Sequence, residues 1–155
     1  MDNRPIGVFD SGLGGLTVVK ALKRLLPNES IVYLGDTARL PYGVKSKSLV
    51  KQFSTQITRF LLEKNAKAII IACNTATAMA LNSLKDEFKN VPIIGVIEPG
   101  SEKAISETIT KKIGVIGTIA TISSGAYEKA IQQKDNSIEI ISKACPLFVP
   151  FVEEG

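Results

Sequence analysis

The chain has 155 residues, 45% hydrophobic and 22% charged, with a net charge of +4 and two cysteines. That balance fits a globular chain of one domain or two small lobes, and the absence of histidine excludes Ser-His-Asp triads, Cys-His pairs and the common His-containing zinc sites. Acid–base chemistry is left to Cys, Asp, Glu, Lys or Tyr.

Apolar runs such as Ala68–Ala72 are too short to span a bilayer, and Met1–Pro5 lacks the apolar segment of a signal peptide. No basic stripe is interleaved with aromatics, so neither a membrane nor a nucleic acid is an expected partner. A cytoplasmic setting, with both thiols reduced, is the expectation.

In chain order, short β-branched runs alternate with helical patterns, as in βαβ units on a parallel sheet. Ile6–Asp10 reads as the first strand. The helix after it turns Val18, Ala21, Leu22, Leu25 and Leu26 inward and stops at Pro27. Ile31–Leu34 is the second strand, and the next helix carries Leu49, Val50, Phe53, Ile57, Phe60 and Leu61 on one face. Ala68–Ala72 is a wholly apolar third strand, as expected when both sheet faces are covered. A helix from about Ala76 to Lys89 and a strand Pro92–Ile97 follow.

Glu98-Pro99-Gly100 reads as a hinge. Beyond it come a helix around Ala104–Ile109, a strand Ile113–Ile116, a helix around Tyr127–Ile131 and a strand Ile138–Ile141. Ile6-Gly7-Val8-Phe9 matches Ile113-Gly114-Val115-Ile116, and Ile31–Leu34 falls on Ile138–Ile141 at the same offset. The shared offset favours two related lobes, residues 1–97 and 98–155. The counterpart of the Ala68–Ala72 strand then falls beyond Gly155, so the second lobe is expected to be incomplete.

Ligands of open α/β sheets bind beyond the carboxyl ends of the strands. Asp10-Ser11-Gly12-Leu13-Gly14-Gly15 lies at one such end, but its G-x-G-G spacing does not continue into a dinucleotide fingerprint and no P-loop Lys-Ser/Thr pair follows. The glycines either turn backbone N–H groups toward a carboxylate or simply permit a tight turn. Cys73-Asn74-Thr75-Ala76-Thr77 follows the third strand, where helix-terminal amides favour a thiolate and Asn74, Thr75 and Thr77 add donors. Cys73 is thus expected to be reactive, with a lowered pKa; the alternative is an inert buried cysteine. Cys145, before Pro146, reads as structural. Asp10 and Ser11 face Cys73 if the first and third strands are neighbours, and Asp10 can also cap its own helix. Tyr42-Gly43 after Pro41 either covers a ligand or forms a surface turn.

Together these segments closely resemble the glutamate racemases. The resemblance runs from Phe9–Leu16 through Leu34-Gly35-Asp36, Pro41-Tyr42-Gly43 and Ala72–Ala76 to Gly117-Thr118, Thr121, Ser124-Gly125-Ala126-Tyr127 and Ala144–Pro150. It implies an α/β fold of two pseudo-symmetric, doubly wound, flavodoxin-like lobes with parallel sheets. It also implies a cofactor-independent, metal-free isomerase that interconverts L- and D-glutamate for peptidoglycan and acts as a homodimer when complete. Two thiols would flank the α-carbon, one removing the proton and the other delivering one to the opposite face.

By that resemblance Cys73 is one thiol and Asp10 assists it or meets the ammonium group. Ser11, Tyr42, Gly43, Asn74, Thr75, Thr118 and Thr121 hold the carboxylates and amine. Glu153, with Glu154 beside it, matches an acid near the second thiol. The second Cys segment itself has no match here, so these residues read as an inactive or one-sided portion. Racemisation of aspartate and a non-catalytic carboxylate-binding module are the competing readings.

Overall fold

The computed structural model describes residues 2–154; Met1, the first residue of the Met1–Pro5 segment, and Gly155, the last residue of the expected second lobe, lie outside the described residues. The first unit runs β1 (Ile6–Asp10), α1 (Leu16–Leu25), β2 (Ile31–Gly35), a 3₁₀ turn (Tyr42–Val44), α2 (Lys47–Glu63), β3 (Ala68–Ile71), α3 (Asn74–Glu87) and β4 (Ile93–Gly95). Its strands are parallel, in the order β2-β1-β3-β4. β1 is buried along its whole length because both faces are covered. Ile6 and Val8 meet Val18, Val19 and Leu22 of α1, while Phe9, Ile69 and Ile71 meet Val50, Ile57, Leu61 and Leu84 of α2 and α3.

The apolar stripes are narrower than the sequence suggests. Leu25, Leu26, Leu49 and Phe60, expected inward, are exposed. In α2 the buried line is Val50, Ser54, Ile57, Thr58 and Leu61. α2 packs against α3, and Leu49 and Phe60 fall outside the buried line of α2.

The second unit comprises α4 (Ile97–Glu107), β5 (Lys112–Gly117), α5 (Ile119–Ser123), α6 (Ala126–Lys134), β6 (Glu139–Ala144) and α7 (Phe148–Glu154). β5 and β6 pair in parallel as a separate two-stranded sheet. Ile113 pairs with Ile140, not with Ile138 as the internal repeat implies. A slip of two residues keeps every side chain on its face, so the pattern survives the shift. Val115, Ile131 and Ile138 form the buried centre of this unit.

One expectation is corrected. Glu98-Pro99-Gly100 is not an open hinge but lies in the first turn of α4, where a proline costs little because the first amides have no intrahelical partner. The Pro-rich stretch after Cys145 leads into α7, with Pro150 again in the first turn. Among the described residues, no helix is long and apolar enough to cross a membrane.

Candidate active site

The order β2-β1-β3 puts the carboxyl ends of β1 and β3 side by side, with Ala72 N–H donating to the Phe9 carbonyl at 2.8 Å. Asp10 and Cys73 leave these ends as neighbours. Asp10 is buried, and its Oδ2 accepts from the Gly15 N–H at 2.8 Å, closing the loop into α1. Cys73 is the N-cap of α3, two residues earlier than the sequence suggests. Its Sγ accepts from the Ala76 N–H at 3.4 Å, and the thiol donates to Ser11 Oγ at 3.5 Å.

The expected lowering of the Cys73 pKa is reversed. Burial first, and the Asp10 carboxylate second, push the thiol from an ordinary 9.0 to about 11. Hydrogen bonding with Ser11 and with the Ala76 N–H pulls in the opposite direction but does not win. A helix terminus stabilises a thiolate by a few tenths to about 2 kcal/mol, less than desolvation beside a carboxylate costs. In the unliganded site the group is therefore a neutral thiol.

Asp10, Ser11, Cys73, Asn74, Thr75, Thr118 and Glu153 line one cavity of about 280 Å³. Phe148, Val149 and Val152 of α7 complete its wall. Thr75 Oγ1 lies 2.9 Å from Thr118 Oγ1 and 3.1 Å from Thr121 Oγ1, and the latter two are 3.0 Å apart. This triangle ties the first turn of α3 to the first turn of α5, where Thr118 also accepts from the Thr121 N–H at 3.2 Å. Thr121 stands behind the cavity wall, at a neighbouring cavity of about 390 Å³ that also reaches Asn74 and Thr118.

Glu153 is the acid that reaches the site, its Oε1 accepting from the Leu13 N–H at 2.9 Å, whereas Glu154 is exposed. The glycine-rich loop thus turns an amide toward a carboxylate, here one from α7. Tyr33 donates to the Gly12 carbonyl at 2.7 Å from behind that loop. Burial, with Asp10 and Glu153 nearby, pushes the Tyr33 phenol up to about 12, so it remains a donor.

Tyr42 and Gly43 are placed differently. Tyr42 is 1% exposed and its hydroxyl donates to Asp36, which Arg39 also pairs at 2.7 Å. Burial and this hydrogen bond hold the Tyr42 phenol far above its ordinary range. Gly43 abuts Thr118: a Cβ there would lie 2.4 Å from the Thr118 Cβ. Neither lines the cavity beside Cys73; both brace it from behind. Cys145 ends β6 half-buried, its thiol 3.8 Å from the Lys143 carbonyl, on the neighbouring cavity and not on that of Cys73. Among the described residues, no three Asp, Glu or Cys side chains cluster as a metal site would require.

Fold and site define an α/β protein with a buried thiol and carboxylate at adjacent strand ends, ringed by hydroxyl and amide groups. The chain belongs to the family described as Asp/Glu/Hydantoin racemase, which it matches over residues 6–146. It is 56% identical to a glutamate racemase of Lactococcus lactis subsp. cremoris over 100% of this chain and 57% of the relative. With a glutamate racemase of Aquifex aeolicus it shares 54% identity over 97% of this chain and 58% of the relative. The solved glutamate racemase of Francisella tularensis, in complex with D-glutamate, superposes with a TM-score of 0.92 at 49% identity, covering 100% of this chain and 58% of that one. A glutamate racemase from Bacillus anthracis gives a TM-score of 0.94 at 45% identity, covering 98% and 57%. The chain therefore spans less than two thirds of the length of these relatives.

Proposed function

We propose that Cys73 is one of the two thiols of a glutamate racemase that works without a cofactor, supplying D-glutamate for peptidoglycan in the cytoplasm. The observation that carries this reading is the juxtaposition of the Cys73 thiol, Asp10 and Ser11 in one cavity lined with Asn74, Thr75 and Thr118. The many relatives named as glutamate racemases support glutamate over aspartate as the substrate.

The geometry suggests how a thiol with a pKa of about 11 becomes a base. A substrate ammonium group set against Asp10 neutralises the carboxylate that holds the thiol protonated and adds a positive charge nearby. Both changes lower the Cys73 pKa toward the working pH, so the base forms only when substrate is present. The thiolate then takes the α-proton, and the hydroxyl and amide donors hold the carboxylates. Inversion requires a proton donor on the opposite face of the α-carbon. On this reading Cys145, on the neighbouring cavity, is not that donor, and residues 1–155 serve one side of the reaction.

On this reading the chain exchanges the α-proton of one glutamate enantiomer with D₂O without inverting it, and Cys73→Ser abolishes the exchange. Proton NMR with chiral chromatography reads both quantities. Exchange that survives in Cys73→Ser, or sustained inversion by a chain of confirmed mass, would overturn the proposal. A non-catalytic carboxylate-binding module would instead bind glutamate with no exchange in either protein.

A further inference from the structure

The segment Ser124-Gly125-Ala126-Tyr127 plays no part in the chemistry above, yet its geometry is closely specified. Ser124 Oγ donates to the Thr121 carbonyl at 2.6 Å and accepts from the Ala126 N–H at 3.2 Å. Gly125 has φ +61°, a left-handed conformation that a side chain would strain. The chain therefore leaves α5 and enters α6 within two residues, and the second residue of α6 is Tyr127. Its phenol lies near Gly100 of α4, and its hydroxyl donates to Asn74 Oδ1 at 2.6 Å. Burial raises the Tyr127 pKa, so the phenol stays a protonated donor.

Asn74 directly follows Cys73 and lines its cavity. A carboxamide whose oxygen is held by a phenol can no longer exchange oxygen for nitrogen; it has only its NH₂ group to offer a ligand. An NH₂ group is the half of the amide that complements a carboxylate.

We infer that Tyr127 is a positioning residue: through its hydrogen bond to Asn74 it fixes the amide with its NH₂ group available to a carboxylate bound beside Cys73. This rests on the reading of the cavity as a carboxylate-substrate site. It assigns the Ser124–Tyr127 turn a purpose, that of carrying a group from the second unit to the first turn of α3.

The test uses two alkylating reagents of similar size at Cys73, anionic iodoacetate and neutral iodoacetamide, with modification followed by peptide mass spectrometry so that Cys145 is counted separately. The ratio of the iodoacetate rate to the iodoacetamide rate measures carboxylate recruitment. Tyr127→Phe keeps the ring and removes the hydroxyl. It is expected to lower the ratio about three- to tenfold, the range of one lost neutral hydrogen bond, with the iodoacetamide rate unchanged. Asn74→Ala lowers it by at least as much, and adding Tyr127→Phe to Asn74→Ala lowers it no further. An unchanged ratio in Tyr127→Phe, additive losses in the double variant, or an equal fall with both reagents would overturn the inference. Protection of wild-type Cys73 by D-glutamate tests the functional reading separately. If protection is absent while the ratio still depends on Tyr127, glutamate as the ligand is overturned and the carboxylate-recruiting role of Tyr127 and Asn74 stands.

Discussion

Asp10 has two separable roles beside Cys73. Its buried carboxylate shapes the loop by accepting from the Gly15 N–H, and it raises the thiol pKa. Asp10→Asn separates the two, since an amide oxygen still accepts from Gly15 while the negative charge is gone. The charge that disfavoured the thiolate is removed, so the pKa of Cys73 must fall. The pH at which Cys73 alkylation by iodoacetamide reaches half its limiting rate is therefore expected to drop below about 11. An unmoved or higher midpoint would show that Asp10 does not hold the thiol protonated. Tyr33 supports the same loop through the Gly12 carbonyl, a role that nothing in a lone aromatic on a strand discloses.

At the level of elements, the site depends on α5 reaching the first turn of α3. The threonine triangle makes that link, and the backbone of the 3₁₀ turn seats it: Gly43 leaves room for Thr118, whose Cβ would be 2.4 Å from an added methyl. Gly43→Ala is expected to lower stability by about 1–3 kcal/mol, the usual cost of overpacking a close contact, seen as a lower urea midpoint. A midpoint unchanged from wild type would mean that the two elements separate freely at this point. The strand ends were legible in the sequence because buried parallel strands are continuous apolar runs, and Asp10, Ser11 and Cys73 directly follow such runs. α7 was not legible. Phe148, Val149 and Val152 have a helical spacing, but Pro146 and Pro150 read as breakers unless it is known that Pro146 precedes the helix and Pro150 lies in its first turn. The sign of the Cys73 pKa shift was missed for another reason: helix-terminal amides are local in sequence, whereas burial and the charge of Asp10 are supplied by the fold.

Across the whole molecule, the two sheets are covered unequally. β1 is buried on both faces, whereas among the described residues β5 and β6 are covered on one face only. The other face carries Lys112, Gly114 and Ile116 on β5 and Glu139, Ile141 and Lys143 on β6, with Lys112 paired to Glu139 at 2.9 Å. Ile116 and Ile141 are 64% and 63% exposed, and a Cβ added at Gly114, opposite Ile141, would touch nothing among the described residues. Two exposed isoleucines on a parallel sheet form a sticky surface, to which exposed Phe151 and Val152 of α7 add apolar area elsewhere. Replacing both isoleucines by threonine keeps the β-branched shape that suits a strand and removes the apolar tips. Little packing is lost, so the melting temperature is expected to stay within about 3 °C of wild type. Binding of a hydrophobic dye and concentration-dependent light scattering should both decrease. A fall of many degrees would show that Ile116 and Ile141 are packed in solution; unchanged dye binding and scattering would place the adhesive surface elsewhere on the chain.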